Sequence, residues 1–252
     1  MNHKPCLRLL VLLLLFSGSL LLPACAQGQR ERPAQTQPGE GYELKPGQDP
    51  SGIDKYYMGR QIADVISHRG ASWLERPERE RQQRTDLLIQ AMDLRPMDVV
   101  ADVGAGSGYF VFRMASLVPQ GKVLAVDIQP EMLQIVEERT KKENVPNVET
   151  VLGAEKAPNL PAGSVDVVLM VDAYHEFAYP REMMEAVVQA LRPGGRLVMV
   201  EYRAEDPSVK IRPLHKMTLD QAKKEMAATG LRFRQNKDIL PQQHFMVFEK
   251  PR

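Results

Sequence analysis

The chain alternates short apolar runs with helix-like segments from about residue 98 to its end. The apolar runs predict strands at 98–103, 122–126, 148–152, 165–171, 196–200, 231–235 and 245–248. Apolar positions spaced three and four residues apart predict intervening helices at 108–117, from 130 onward, at 180–191 and at 218–230. Strands that alternate with helices are typical of a parallel sheet covered by helices. The pattern therefore predicts an α/β fold.

The residues ahead of this repeat are predicted to form helices at 53–66 and 77–92. We assign residues 51–95 to an N-terminal helical lid and residues 96–252 to the main domain. Charges alternate in sign along 76–81, which favours a solvated helix face over a nucleic-acid patch. Trp73, the single tryptophan of the chain, fits either the core or the wall of a binding site.

The N-terminus has the pattern of an export signal. Residues 9–22 form a nearly unbroken apolar run of 14 residues, shorter than the roughly 20 that a membrane-spanning helix needs. The run ends in Leu22-Pro23-Ala24-Cys25, which resembles a bacterial lipobox, whose cysteine is lipidated and becomes the new N-terminus. We expect a signal peptide over 1–25 and a protein tethered to a membrane of the cell envelope, on its periplasmic or outer-membrane side. A soluble exported protein cleaved after Ala26, and an uncleaved N-terminal anchor, are the alternatives.

The segment after this signal has the composition of a linker. Residues 26–50 are rich in Pro, Gly and Gln, and their only large apolar residues are Tyr42 and Leu44. Such a segment cannot bury enough apolar surface to offset the entropy lost on ordering it. We expect a disordered tether that ends where the folded part begins, near residue 51.

The overall composition fits one ordinary α/β domain with appendages. The 252 residues carry a net charge of +1, which cleavage before Cys25 would change to −1, so nucleic-acid binding is not expected. Two cysteines are too few for a disulfide scaffold or a Cys-rich zinc site. The histidines outside the signal segment, at 68, 175, 215 and 244, show no metal-ligand spacing, and no metal site is predicted.

One glycine-rich motif carries the predicted chemistry. Asp102-Val103-Gly104-Ala105-Gly106-Ser107-Gly108 follows a predicted strand and precedes a predicted helix. Glycines let the chain turn sharply and let a ligand approach the backbone, beside the unpaired N–H groups of a helix start. Gly104 and Gly108 are four residues apart, whereas a dinucleotide fingerprint separates its first and third glycines by five. No Gly-Lys-Ser/Thr follows, so a phosphate-binding P-loop is excluded.

With this motif the chain resembles the class I S-adenosylmethionine (SAM)-dependent methyltransferases, especially the small-molecule type related to the enzymes of quinone biosynthesis. Further stretches stand in the family's order: AVDIQPEML at 125–133, LPAGSVD at 160–166, DAYHEF at 172–177 and LRPGGRLV at 191–198. The resemblance covers residues 57–248. It implies a Rossmann-like, doubly wound sheet of seven strands, mostly parallel, with an antiparallel last strand. It also implies SAM as the cofactor and a small-molecule methyl acceptor.

The resemblance further implies which residues bind the cofactor. They are Asp102, Gly104, Gly106, Gly108, Asp127, Ile128, Glu155 and Asp172. The glycine turn would hold the methionyl part of SAM, with Asp102 as the partner of its ammonium group. Asp127 would accept hydrogen bonds from the ribose hydroxyls, Ile128 would lie against the adenine, and Asp172 would face the cofactor. Glu155 is the acid nearest to the family's adenine-edge position, where the family usually has Asp directly after Gly and this chain has Ala between them.

The catalytic candidates lie on the loop after the fourth predicted strand. A methyl acceptor needs a general base only when it is protonated at the start. His175 is the predicted base, since open α/β sheets bind ligands at this edge. A cap over the cofactor and a hydrogen-bonded structural histidine are the alternatives. Tyr174 and Glu176 flank it and are candidates to position the acceptor. His215, in the insertion after the fifth strand, is either a surface histidine or a second base.

The leading prediction is a methyltransferase that transfers the methyl group of SAM to a small molecule by in-line displacement. A non-catalytic ligand-binding lipoprotein that keeps the fold is the alternative, because an exported protein would meet little SAM, a cytosolic metabolite. The acceptor, the atom methylated and the oligomeric state are left open by the sequence.

Overall fold

The computed structural model of the protein describes residues 41–46 and 49–252. The strands in this part of the chain are β1 (Tyr42–Leu44), β2 (Gly52–Tyr57), β3 (Arg60–Ala63), β4 (Val99–Val103), β5 (Lys122–Asp127), β6 (Val148–Leu152), β7 (Val165–Val171), β8 (Leu191–Arg203), β9 (Lys216–Met217), β10 (Arg232–Lys237) and β11 (Gln243–Glu249). The helices are α1 (Ala71–Leu74), α2 (Arg79–Gln83), α3 (Thr85–Ala91), α4 (Tyr109–Ala115), α5 (Pro130–Glu143), α6 (Pro180–Ala190) and α7 (Leu219–Ala227).

The central sheet has the predicted doubly wound topology. Its strands lie in the order β10-β11-β8-β7-β4-β5-β6, and the short β9 pairs with β8. The pairs from β8 to β6 are parallel, whereas β11 runs antiparallel to both β8 and β10. The α/β fold with an antiparallel last strand is therefore confirmed. The chain leaves β4 towards β5 on one side and returns to β7 on the other, which opens a crevice at the carboxyl ends of these strands.

The core lies on both faces of this sheet. Along β7, Val167, Leu169 and Val171 belong to one apolar cluster, while Val168 and Met170 belong to a second. Alternate side chains of a strand point to opposite faces, so the two clusters are the two helix-covered layers. The continuous apolar sequence of this strand follows from that double burial.

The prediction of a helix over 53–66 is wrong, because this stretch forms a β-hairpin. β2 and β3 pair antiparallel, with Tyr57 opposite Arg60. The two residues between them, Met58 and Gly59, have positive φ angles of 50° and 95°, as the two-residue turns of hairpins require. Consecutive left-handed residues cannot be part of a right-handed helix. The lid predicted over 51–95 is thus part sheet and part short helices.

The folded part also begins earlier than residue 51. β1 pairs antiparallel with β2, so residues 42–44 of the predicted disordered tether are a strand. Tyr42 is 7% exposed, its ring centroid lies 5.2 Å from that of Tyr57, and its hydroxyl donates to Glu182 of α6. The contact with Tyr57 buries the ring of Tyr42, and this burial stabilises β1 although the rest of the predicted tether has few apolar residues.

The helix predicted over 77–92 is divided into α2 and α3 at Arg84, whose φ is 51°. Arg79 in α2 is 4% exposed and donates hydrogen bonds to Gln83 and to the carbonyl oxygen of Leu74. The sequence had indicated that the charged side chains of 76–81 all lie on a solvated helix face. The burial of Arg79 shows that this is wrong for at least one of them.

The predicted signal peptide over 1–25, Cys25 itself and residues 26–40 lie outside the described residues. Within 41–46 and 49–252, no helix combines the length and the apolar composition needed to cross a membrane.

Candidate functional site

A cavity of about 860 Å³ lies at the carboxyl ends of β4, β5 and β7. Doubly wound sheets bind their ligands at this edge, and the volume is in the range of small-molecule sites. The predicted site residues in its lining are Asp102, Gly104, Gly106, Asp127, Ile128, Glu155, Asp172, His175 and Glu176. Gly108 and Tyr174 are not among the lining residues. Folding therefore gathers most of the predicted positions around one space.

The glycine turn after β4 forms one wall of the cavity. Gly104 and Gly106 have φ angles of 84° and 53°, which residues with a side chain rarely adopt. A Cβ atom on Gly104 would lie 2.6 Å from Cβ of Ala173, and one on Gly106 would lie 2.7 Å from Leu74 Cδ1. Gly108 instead begins α4, where a Cβ would crowd side chains behind the turn, so its role is in packing. The turn presents bare backbone to the cavity.

Asp102 lies at the base of this turn as a buried carboxyl group. It is 2% exposed, and its Oδ2 has no hydrogen-bond partner in the described part of the chain. Burial raises the pKa of Asp102 to about 7, with Arg79 opposing the shift and Asp127 adding to it. Buried carboxylates are normally paired, so this oxygen is arranged for a cationic or hydrogen-bonding partner supplied from the cavity.

Asp127 ends β5 on the opposite wall. Its Oδ2 accepts the N–H of Gly106 at 2.8 Å and its Oδ1 accepts the N–H of Gln129 at 2.9 Å. Each oxygen keeps a second lone pair that these bonds do not use. Burial raises the pKa of Asp127, while the backbone N–H groups lower it. Next to it, Ile128 is 43% exposed at the cavity, and the exposed Glu155 completes this side.

Asp172 follows β7 in the left-handed region, with a φ of 50°. Nε2 of Gln243 in β11 lies 3.0 Å from its Oδ1 and 2.7 Å from its Oδ2. Burial, followed by the charge of Glu201, raises the pKa of Asp172 to about 7. The backbone conformation and this amide contact place the carboxyl group in the cavity lining.

His175 is 1% exposed, and both of its ring nitrogens have partners. Nδ1 lies 2.6 Å from Oε2 of Glu201, and Nε2 lies 3.0 Å from Nδ1 of His215. Burial alone would lower the pKa of His175, but Glu201 and Glu176 outweigh burial and raise it to about 10. A cationic imidazole cannot accept a proton, so this arrangement opposes the predicted role of His175 as a general base at neutral pH.

His215 is the neutral partner of this pair. Burial and the neighbouring His175 both lower its pKa. It lies in the cavity lining with 15% of its side chain exposed, on a short 3-10 turn before β9. Of the two histidines, His215 is therefore the one able to accept a proton at neutral pH.

Tyr174 does not face the cavity, which corrects the expectation that it positions the acceptor. Its side chain is fully buried in one of the two apolar clusters. Its hydroxyl donates to Glu225 of α7 at 2.6 Å, and Arg60 of β3 pairs with the same carboxylate at 2.8 Å. Tyr174 thus joins the hairpin, α7 and the loop after β7, and its role is structural.

Sequence reasoning missed two features of the site, Arg79 and Glu201, and left a third, Trp73, undecided. Arg79 lines the cavity, and its burial depends on stacking over the rings of Tyr109 and Phe110, which no local pattern reveals. Trp73 is 47% exposed in the lining, which removes it from the core. Glu201 is fully buried at the end of the apolar part of β8. Its position could have been recognised in the sequence, because an acidic residue directly after an apolar strand lies at the ligand-binding edge of such a sheet.

The fold also brings together potential metal ligands that are not close in sequence. His175, Glu176 and His215 each offer a ligand atom, and these atoms lie within 4.8 Å of one another. Spacing along the chain had predicted no metal site, because His175 and His215 are 40 residues apart. The sequence prediction of no metal site rested on spacing alone and did not take this non-local cluster into account.

Comparisons with known proteins agree with this architecture. Residues 94–244, more than half of the chain, match the family model of a methyltransferase domain. The ubiquinone/menaquinone biosynthesis C-methyltransferase UbiE of Ectopseudomonas mendocina is 32% identical over 117 residues, which are 45% of this chain and 45% of that protein. The demethylmenaquinone methyltransferase of Lactococcus lactis is 30% identical over 103 residues, 40% of this chain and 41% of that protein. The chain thus spans less than half the length of these curated relatives.

A solved structure reproduces the fold over a larger part of the chain. The crystal structure of a SAM-dependent methyltransferase from Aquifex aeolicus superposes with a TM-score of 0.69 at 22% identity. The match covers 73% of this chain and 99% of that one.

Proposed function

The chain belongs to the methyltransferase-domain family, and from this premise we propose that it transfers the methyl group of SAM to a small-molecule acceptor by in-line displacement. The observation that carries the proposal is the unpartnered Oδ2 of Asp102, buried where the glycine turn and Asp127 line the same cavity. SAM carries an ammonium group that can pair with Asp102 and a ribose diol that can donate hydrogen bonds to Asp127.

The residues present fit SAM at three points. The ammonium group of its methionyl part would pair with Asp102, which has no partner for Oδ2 in residues 41–46 and 49–252. The ribose hydroxyls would donate to the lone pairs that Asp127 keeps after its two backbone bonds. Gly104 lines the cavity without a side chain, so its backbone is open to the amino-acid part of SAM.

The protein contributes mainly alignment and the exclusion of water. Bound SAM supplies a methyl group that is already activated by its sulfonium. Holding the acceptor in line with that group can lower the barrier by up to about 7–11 kcal/mol. If the acceptor is protonated, His215 is the neutral imidazole in the cavity wall that can take its proton. His175 and Glu201 hold His215 in place through the chain of contacts described above.

Calorimetric titration of the full-length protein with SAM, and with its demethylated product, tests the cofactor assignment. Asp127→Asn removes the charge from the predicted ribose contacts, and we expect affinity to fall about 10–100-fold, the equivalent of one charge-assisted hydrogen bond. Asp206→Asn is the matched control, because Asp206 accepts an N–H two residues on, as Asp127 does, but lies outside the cavity lining. No binding by the wild-type protein, or equal affinities in the two variants, would contradict the assignment.

Methyl transfer itself separates the proposal from a binding protein that keeps only the fold. The wild-type protein, incubated with methyl-labelled SAM and small-molecule extracts, is expected to label a low-molecular-weight product. SAM binding without any labelled product in extracts of the producing cell would instead support the non-catalytic alternative.

We extend the proposal to export and membrane tethering through a lipid on Cys25, supported by the signal-like pattern of the first 25 residues. Multiple acyl chains, at about 0.8 kcal/mol per buried CH₂, hold a protein on a membrane essentially permanently. The wild-type protein should fractionate with membranes and incorporate labelled fatty acid, and Cys25→Ser should do neither. Membrane release of the wild type by high salt alone would contradict the lipid anchor.

A further inference from the structure

His175, Glu176 and His215 form a cluster of ligand atoms at the wall of the cavity. Nε2 of His175 lies 3.0 Å from Nδ1 of His215 and 3.7 Å from Oε1 of Glu176, and the last two atoms are 3.6 Å apart. The circumcentre of this 3.0, 3.7 and 3.6 Å triangle, in the plane of the three atoms, is about 2.0 Å from each of them. That is the length of a Zn²⁺ bond to an imidazole nitrogen or a carboxylate oxygen. We propose that these three side chains bind a divalent transition-metal ion.

Glu176 supplies the strongest local argument. Its Oε2 accepts the N–H of Ile66 at 3.2 Å, but its Oε1 is buried and has no hydrogen-bond partner among the described residues. A hydrogen bond between the two imidazoles satisfies only their own facing nitrogens. It leaves this oxygen with ion-pair contacts of 3.7 and 3.6 Å to them but no hydrogen bond, which is unfavourable for a buried acceptor. One cation at the circumcentre satisfies all three atoms at once.

Glu201 is placed as an outer partner of such a site. It is fully buried, and its Oε2 lies 2.6 Å from Nδ1 of His175. Metal-bound histidines almost always donate their other N–H to a carboxylate or carbonyl oxygen, which fixes the tautomer and the ring orientation. Arg60 adds to the rigidity, since it donates to the carbonyl oxygen of His175 at 3.2 Å. Glu201 is therefore a positioning residue, not a ligand.

The charge around the cluster also favours a cation. Glu176 and Glu201 bring two carboxylates to two imidazoles, and Asp172 lies close enough to Glu201 to interact with it. The nearby guanidinium of Arg60 is already paired with Glu225 through two hydrogen bonds. Arg212 faces the cluster from the loop that carries His215. A dication that displaces the proton of His175 would be balanced by the carboxylates of Glu176 and Glu201.

The ligand set indicates the class of metal. Two imidazoles and one carboxylate suit Zn²⁺, Fe²⁺ or Co²⁺ better than Mg²⁺ or Ca²⁺, which prefer oxygen ligands. Three protein ligands leave at least one coordination position open, as in catalytic zinc sites, and all three residues line the cavity. If the proposed methyl transfer holds, this position would take a hydroxyl or thiol group of the acceptor. The ion would then promote loss of that group's proton in place of His215, because a neutral imidazole bound through Nδ1 carries its own proton on Nε2.

The test uses the full-length protein, stripped of metal with EDTA and titrated without SAM. We expect one equivalent of Zn²⁺ to bind by calorimetry, and Co²⁺ to give the visible absorption of a four- or five-coordinate ion. His215→Ala and Glu176→Gln should each weaken Zn²⁺ binding at least 100-fold. Both side chains are partly exposed, so the variants should fold, which circular dichroism checks. Glu201→Gln should lower the affinity about 10–100-fold with all three ligands intact.

His68→Ala is the matched control. His68 is another histidine beside a carboxylate, with Nδ1 3.9 Å from Glu131, but its side chain is 40% exposed and it lies outside the cavity lining. Its removal should leave Zn²⁺ binding unchanged. The absence of a saturable one-equivalent phase in the wild type, or equal affinity in His215→Ala and the wild type, would overturn the proposal. Zn²⁺ binding without SAM binding would sustain this site and reject the proposed function, and SAM binding without Zn²⁺ binding would do the reverse.

Discussion

Replacing Asp102 by Asn removes a carboxyl group that the fold buries with one oxygen unpaired in the described part of the chain. Burial raises its pKa to about 7, from about 3.9 in an unfolded chain. A difference of about three units corresponds to about 4 kcal/mol. Because the folded protein favours the protonated form, this contribution to stability is present below about pH 4 and is lost as the pH rises towards 7.

Urea unfolding followed by circular dichroism measures this effect. Between pH 4 and 8, the free energy of unfolding of the wild type should fall by up to about 4 kcal/mol relative to that of Asp102→Asn. Asp172, whose pKa is also about 7, is present in both proteins and cancels in the difference. Saturating SAM should restore stability to the wild type at pH 8 more than to the variant, because an ammonium partner favours the ionised carboxylate. Parallel pH profiles for the two proteins without ligand would refute the reasoning.

Three further changes test other contacts of the site. Gly104→Ala places a Cβ 2.6 Å from that of Ala173 at a φ of 84°, so the free energy of unfolding should fall by about 1–3 kcal/mol and calorimetric SAM binding should be lost. Tyr174→Phe leaves an oxygen of Glu225 without its 2.6 Å donor, so stability to urea should fall by about 1–3 kcal/mol while SAM affinity stays within twofold. SAM should change the intrinsic fluorescence of Trp73, the single tryptophan, and Trp73→Phe should abolish that signal.

The central sheet could be predicted from the sequence because each of its strands carries its own apolar pattern. The run at 165–171 is apolar on both faces, and helices α5 and α6 begin with Pro130 and Pro180 as expected. Thr218 caps the last helix by accepting the N–H of Gln221, as its local sequence indicates. These signals act within a few residues and need no knowledge of the rest of the fold.

The N-terminal hairpin was mispredicted because a turn decides its structure. Apolar residues in 53–66 can be arranged on a helix face, but the left-handed turn at Met58 and Gly59 and the pairing of β2 with β3 exclude that arrangement. Tyr42 shows the same limit, since its burial comes from Tyr57 and Glu182, which are distant in sequence. Where the hydrophobic pattern of a segment fits both a helix and a strand, its tertiary contacts decide which of the two forms.

The catalytic end of the site is the part that the sequence could not predict. The cofactor positions lie in short motifs that each follow a strand, whereas His175 meets His215 only because β8 and the loop after it return to the same sheet edge. The charge on His175 depends on Glu201, which is 26 residues away. Non-local contacts of this kind determine protonation and metal binding, and no spacing rule along the chain contains them.

The measurement that tests the central claim most directly is a crystal structure of the protein with the demethylated product of SAM. The account predicts density in the cavity with the ribose hydroxyls about 2.6–3.0 Å from the carboxylate of Asp127 and the ammonium group about 2.7–3.0 Å from Oδ2 of Asp102. Ligand density elsewhere, or a ligand in the cavity whose ribose makes no contact with Asp127, would contradict it.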